Sequence, residues 1–111
     1  MNQPLSPAIF HILLALATQE RHGYDIMKQA TLDSQNAVKL GPGTLYSTIK
    51  KMLELKLIVE SAERPDPTLD DSRRRYYAIT SRGQAALGAE LERMHHLVHL
   101  GRQLNHQSAT H

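Results

Sequence analysis

The stretch Leu40-Gly41-Pro42-Gly43-Thr44-Leu45-Tyr46-Ser47-Thr48-Ile49-Lys50-Lys51-Met52-Leu53-Glu54 decides the fold. Gly41 allows an unusual backbone angle, and Pro42 can start a helical turn where a missing N–H costs nothing. Leu45, Ile49, Met52 and Leu53 recur at i, i+4, i+7 and i+8, which is one face of a helix. Thr44, Ser47, Lys50, Lys51 and Glu54 occupy the opposite face. The spacing predicts an amphipathic helix ending near Leu55-Lys56, with hydroxyls and ammonium groups pointing outward.

Toward the N-terminus, Tyr24, Ile26, Met27 and Ala30 predict a second helix over Gly23 to Asp33, followed by a turn over residues 34–41. A polar break, Gln19-Glu20-Arg21-His22-Gly23, precedes it. Ser6 as N-cap and Pro7 at the first helical position open another helix, expected to reach about Gln19. Its apolar residues, Ile9, Phe10, Ile12, Leu13, Leu14 and Leu16, cover about 200° of the helical wheel, twice the arc of a surface helix. Such a helix needs cover on two sides. The expectation is the domain core on one and a second chain on the other.

Toward the C-terminus, Leu57-Ile58-Val59-Glu60-Ser61 is β-prone. Residues 63–72, ERPDPTLDDS, contain two prolines and read as an exposed loop. Arg73-Arg74-Arg75-Tyr76-Tyr77-Ala78-Ile79 alternates like a returning strand. Thr80 then caps a last helix beginning at Ser81. Leu87, Leu91, Met94, Val98 and Gly101 form a heptad-like stripe, widened by Leu97, Leu100 and Leu104. From Ser81 to Leu104 that helix spans about 36 Å, more than a core of this size can cover. The tail from Asn105 is expected to fray.

The predicted order of elements is helix, helix, helix, hairpin, helix. That is a mainly α fold with a β-hairpin wing: a winged helix-turn-helix over residues 1–80, a C-terminal dimerisation helix over 81–105 and a flexible tail over 106–111. In this arrangement the second helix of the turn enters the DNA major groove. Hydroxyls and lysines suit base edges and phosphates. The charge distribution agrees. Lys39 to Arg82 holds nine cations and six anions, a local +3 within a chain whose total is +2.

Composition narrows the class further. The chain has 111 residues, 41% of them apolar and 22% charged, and no cysteine. These values describe one ordinary globular domain without a disulfide framework or a Cys-based zinc site. The longest apolar run, Ile12 to Ala17, is far short of the roughly 20 residues of a membrane span. The start MNQPLSP lacks the basic and apolar regions of a secretory signal. A cytoplasmic protein without cofactor is expected.

Several motifs together resemble the PadR family of transcriptional regulators. Leu40-Gly41-Pro42-Gly43-Thr44-Leu45-Tyr46 followed by Leu57-Ile58 is similar to its recognition-helix signature. His22-Gly23-Tyr24-Asp25-Ile26 resembles the start of its second helix, and Phe10-His11-Ile12-Leu13-Leu14-Ala15-Leu16 its first. Arg73-Arg74-Arg75-Tyr76-Tyr77 with Thr80 and Gly83 resembles its wing strand and final helix start. The likeness covers about residues 5 to 100, and the single, short final helix is like that of the smaller PadR subgroup. It implies a homodimeric repressor of a palindromic double-stranded DNA operator, joined through its terminal helices. It further implies release from DNA by a small aromatic or drug-like effector near the dimer interface.

The expected DNA contacts are Gly43, Thr44, Tyr46, Ser47, Lys50, Lys51, Arg73 and Arg75. Each has a plainer reading. The lysines can be a solvated face, and Thr44 and Ser47 caps. Tyr46 is balanced between core and phosphate donor. Gly43 is first a matter of backbone geometry. The arginines can pair with the acidic loop. Tyr76 and Tyr77 read as strand packing rather than base stacking. The expected dimer interface is Ile9, Phe10, Leu13, Leu87, Leu91, Met94 and Val98. His95 and His99 share a helix face, but no carboxylate or Cys completes a metal set there, and a solvated edge is the better reading. A pH or ligand role for His11 has little behind it. No nucleophile motif or phosphate-cradling loop is present, and Asp66, Asp70 and Asp71 form no acid–base constellation. The rival class is a winged-helix protein-interaction or ligand-binding module without DNA binding, which calls for an apolar outward face on the third helix.

Overall fold

The chain runs α1 (Pro7–Leu16), β1 (Arg21–His22), α2 (Gly23–Asp33), α3 (Pro42–Glu54), β2 (Ile58–Glu60), β3 (Tyr76–Ile79) and α4 (Ser81–Ala109). These elements come from a computed structural model that describes residues 3–61 and 75–109, with side chains in α4 through His106. The acidic stretch 63–72, Arg73 and Arg74 lie outside the described residues.

Helix α1 starts as its sequence dictates. The Ser6 hydroxyl accepts from the Ile9 N–H at 3.2 Å, and Pro7 occupies the first turn. It ends at Leu16, short of the expected Gln19. The Ala17 N–H turns back to the Leu14 carbonyl, and Arg21 Nε donates to the Ala15 carbonyl at 2.6 Å. A buried guanidinium thus satisfies a helix-end acceptor and also pairs with Asp25 at 2.9 Å. α1 packs against α2, α3, α4 and β3. Most of its apolar surface is therefore covered within one chain, with Ile9 and Leu14 left half-buried. Phe10, Leu13 and Leu87, expected at a dimer interface, belong instead to this internal core, at 8%, 0% and 6% exposure.

The polar break holds a strand that the sequence reading missed. β1 pairs antiparallel with β3, Arg21 opposite Tyr77 and His22 opposite Tyr76. β2 flanks β3 on the other side, giving the order β1-β3-β2 and a three-stranded sheet where a two-stranded hairpin was expected. Two residues carry no periodic signal, and their pairing is long-range.

The helix-turn-helix is set by left-handed residues other than the expected glycine. Gly41 has φ −74° and ψ 164°, ordinary extended backbone. The reversal falls on Gln35 and Asn36, with φ 53° and 69°. The Asn36 N–H bonds the Thr31 carbonyl at 2.9 Å and the Gln35 N–H the Leu32 carbonyl, a Schellman closure of α2. α3 closes the same way through Lys56 at φ 61°, with the Leu57 N–H on the Met52 carbonyl at 3.0 Å.

Leu57 is then used three more times. Its side chain is buried, and its carbonyl accepts from the Thr80 N–H at 3.1 Å and the Thr80 hydroxyl at 2.9 Å. The same hydroxyl lies 2.7 Å from the Lys56 carbonyl and accepts from the Gly83 N–H at 3.0 Å, capping α4. Gly83 presses directly on the Leu57 carbonyl, so closely that a Cβ there would overlap it. The end of α3 and the start of α4 are therefore joined at one peptide.

α4 continues through Ala109, past the expected frayed start at Asn105, and measures about 43 Å. Its first turns are anchored by Leu87 and by Glu90, which is 4% exposed and bonded to Arg93 at 2.7 and 2.9 Å and to the Leu5 N–H at 3.3 Å. Beyond Met94 the side chains described are exposed or nearly so. This projection explains a radius of gyration of 16.6 Å, against about 13 Å for a compact chain of this length.

Gly83 and Gly88 lie in one helix but in opposite surroundings, since nothing approaches Gly88. Gly88→Ala should stabilise by up to about 1 kcal/mol through helix propensity, whereas Gly83→Ala should destabilise by about 1–3 kcal/mol through overpacking. Denaturant unfolding of both variants checks this; two changes of the same sign would contradict the packing. The hydrogen bonds from Arg93 hold the Glu90 carboxyl below the usual carboxylate range, against the opposing effect of desolvation, with the Arg93 charge and the Leu5 N–H adding to them. A depressed native pKa gives stability that is present above the unfolded value and lost as pH falls through the native one. The stability difference between the wild type and Glu90→Gln should therefore hold near neutrality and shrink below about pH 4.3. A difference that stays constant into acid would contradict this role.

Candidate nucleic-acid interface

α3 is held by its buried residues Leu45, Ile49 and Met52, at 0–2% exposure, each contributing about 1.5–3 kcal/mol by burial. That anchoring aims the other face at solvent. Gly43, Thr44, Tyr46, Ser47, Lys50 and Lys51 are all exposed. Thr44 carbonyl accepts from the hydroxyls of Ser47 at 3.2 Å and Thr48 at 2.6 Å, so the Ser47 oxygen turns its lone pairs outward. The N-terminus of α3 has no side-chain cap and no acidic residue in its first turn. Its peptide N–H groups present the positive end of the helix dipole beside the hydroxyls.

Tyr46 leaves the core and lies across the start of α2. A Cβ on Gly23 would fall 2.5 Å from its hydroxyl and 2.9 Å from the ring, so Gly23 lets the two helices of the motif meet this closely. His22 caps α2 through Nδ1, which accepts from the Asp25 N–H at 3.3 Å. The His22 ring stacks toward Tyr24 at 6.4 Å and meets Tyr76 edge-on at 5.4 Å. Tyr77 is buried, as strand packing requires. Burial pushes its phenol above the ordinary value, Glu60 and Tyr46 add to the rise and Arg75 opposes it.

The structure brings Gly43, Thr44, Tyr46, Ser47, Lys50 and Lys51 onto one surface. Arg75 stands just before β3, exposed, with Glu60 at 3.9 Å. A pair so open to solvent contributes little and leaves the guanidinium available. Arg73 lies outside the described residues. Tyr24 is 63% exposed at the start of α2, next in sequence to the Gly23 that Tyr46 meets, and its exposure has no signal in the sequence beyond the His22-Gly23-Tyr24 motif.

Of the residues expected between two chains, Leu91 and Val98 are exposed at 43% and 50%, while Ile9 and Met94 are half-buried against the core. Leu97, Leu100 and Leu104 extend the exposed apolar face. A shallow groove of about 300 Å³ runs along α2 between Tyr24, Met27, Lys28, Thr31 and Leu32. Among the described residues no three metal-ligating side chains gather, and no helix is long and apolar enough to cross a membrane.

Residues 12–89 match the model of the transcriptional regulator PadR-like family. An uncharacterized protein of Lysinibacillus sphaericus is 32% identical over 76 residues, 68% of this chain and 67% of that protein. Among solved structures, a PadR family transcription regulator from Clostridium difficile superposes with a TM-score of 0.72 at 22% identity, over 89% of this chain and 98% of that one. A transcriptional regulator from Clostridium thermocellum gives 0.69 at 21%, over 86% and 87%. Bacillus subtilis PadR, solved in complex with operator DNA, gives 0.64 at 21%, over 80% of this chain and 48% of that one. The structural likeness carries the winged-helix fold, and with residues 12–89 matched to the family model the chain belongs to the PadR-like family of transcriptional regulators.

Proposed function

We propose that this chain is a homodimeric DNA-binding repressor that reads a palindromic operator with α3. The observation that carries the reading is the exposed face of Thr44, Ser47, Lys50 and Lys51, fixed in place by the buried Leu45, Ile49 and Met52 opposite. The hydroxyls face base edges and the α3 N-terminus and lysines face phosphates. Gly43 lets the backbone approach, and Tyr46 donates to the sugar-phosphate chain. Arg75, with Arg73, follows the backbone from the wing. The operator complex of Bacillus subtilis PadR supports this use of the fold.

Residues 1–80 form the reading unit and residues 81–105 the pairing helix. Leu91, Leu97, Val98, Leu100 and Leu104, each 40–56% exposed, make an apolar face that a second α4 covers, with Ile9 and Met94 at its margin. Twofold pairing places two copies of α3 about 34 Å apart, one turn of duplex. A small aromatic or drug-like effector, lodged between the paired chains, changes that spacing and releases the DNA. The support for the effector is the family resemblance.

The test is an anisotropy titration with duplex from upstream of the chain's own gene. Lys51→Ala should weaken binding to all sequences and lower the salt slope by about 1. An affinity and slope equal to wild type would remove Lys51 from the interface, and a wild type that binds no duplex would refute the reading.

A further inference from the structure

The projecting half of α4 carries a charge pattern that neither the fold nor the DNA face uses. Between Glu92 and His106 the chain contains no further acidic side chain, yet besides Arg93 it holds His95, His96, His99, Arg102 and His106. All of these are exposed. Advancing by 100° per residue, His95, His99, Arg102 and His106 fall within one edge of the helix, directly beside Leu91 and Val98 of the apolar face. His96 lies further round, near Glu92.

Among the described residues, the elements packed on α4 supply no counter-charge to this edge. Within the chain α4 packs on α1 and β3. α1 carries no charged side chain and one histidine, His11, and β3 is Tyr76-Tyr77-Ala78-Ile79. Glu90, the other carboxylate on this part of α4, is committed to Arg93 and the Leu5 N–H. Glu92, one helical turn before His95 and His96, is left as the single acid beside this edge, and Arg102 offsets it only in net charge. With neutral imidazoles the Glu92–His106 segment, apart from the paired Arg93, is uncharged. With protonated imidazoles it carries four positive charges. Histidine is the side chain whose charge changes in the range of about pH 5–8. Two α4 helices in contact lie about 8–10 Å apart, comparable to the Debye length of about 8 Å at physiological salt and well inside it in low salt, so the imidazolium charges of His95, His99 and His106 on the two facing edges repel most in low salt.

We propose that the histidine edge of α4 is a pH-sensitive element that loosens the pairing of two copies in mild acid. This rests on the proposed pairing through α4. Its regulated quantity is the strength of association, and through it the spacing of the two α3 helices. The device needs no movement within one chain. The apolar seam is unchanged by pH, and the repulsion along its margin grows as the imidazoles take up protons.

Sedimentation velocity at pH 7.5 and pH 5.5, in low and high salt, tests this with the full chain. Circular dichroism at both pH values checks that the helices stay folded. At pH 5.5 the Glu90 carboxylate is still ionised, so the core anchor of α4 is intact. In low salt the dimer dissociation constant should rise at least about tenfold from pH 7.5 to 5.5, and the rise should shrink in 0.5 M salt as the charges are screened. A variant with His95, His96, His99 and His106 all replaced by Gln should pair equally at both pH values. Dimers of equal strength at both pH values in the wild type, or a rise that persists in the Gln variant, would overturn the switch and leave the pairing standing. Monomers at pH 7.5 would overturn the pairing and the switch together.

Discussion

The peptide of Leu57 is the joint on which this structure turns. Its N–H closes α3 on the Met52 carbonyl, its side chain enters the core, and its carbonyl holds Thr80 at the start of α4. Gly83 packs onto that carbonyl with no room for a Cβ. The helix that presents Thr44, Ser47, Lys50 and Lys51 is therefore geared to the helix that projects from the domain. In the proposed dimer, a change in how two α4 helices meet would be passed to α3 through a joint with little slack, because close-packed contacts shift between discrete arrangements rather than deform smoothly.

Most of this was legible in the sequence because it is periodic. Leu45, Ile49, Met52 and Leu53 repeat along α3, Ser6-Pro7 marks the start of α1 and Thr80 the start of α4. What escaped was non-local or non-periodic. β1 has two residues and exists only because β3 returns to pair with it. The left-handed turns fall on Gln35, Asn36 and Lys56, of which only Asn36 is a residue type that favours that region, while Gly41 is extended. The close approach of Tyr46 to Gly23 depends on the angle between two helices. The exposed face of α3 was legible as a pattern of residue types. The exposure of Tyr24 was not, since exposure of a single aromatic has no period.

The apolar excess of α1 has a different meaning from the one its wheel invited. α1 is the central helix of the chain, and α4 supplies the cover that a second copy was expected to give. Phe10 and Leu13 are spent on the core. The unpartnered apolar surface has moved outward along α4, to Leu91, Leu97, Val98, Leu100 and Leu104. In the proposed dimer, reading and pairing are thereby carried on separate helices. The histidine edge beside the pairing face is distant in sequence from the lysines and hydroxyls of α3.

In the proposed dimer, two α3 helices are held on successive turns of one duplex by α4. Hydroxyl-radical footprinting of the bound promoter measures this most directly. The proposed dimer should leave two protected patches on one face of the DNA, centred about 10 base pairs apart and related by a twofold axis. A single protected patch, or protection without twofold symmetry, would contradict it.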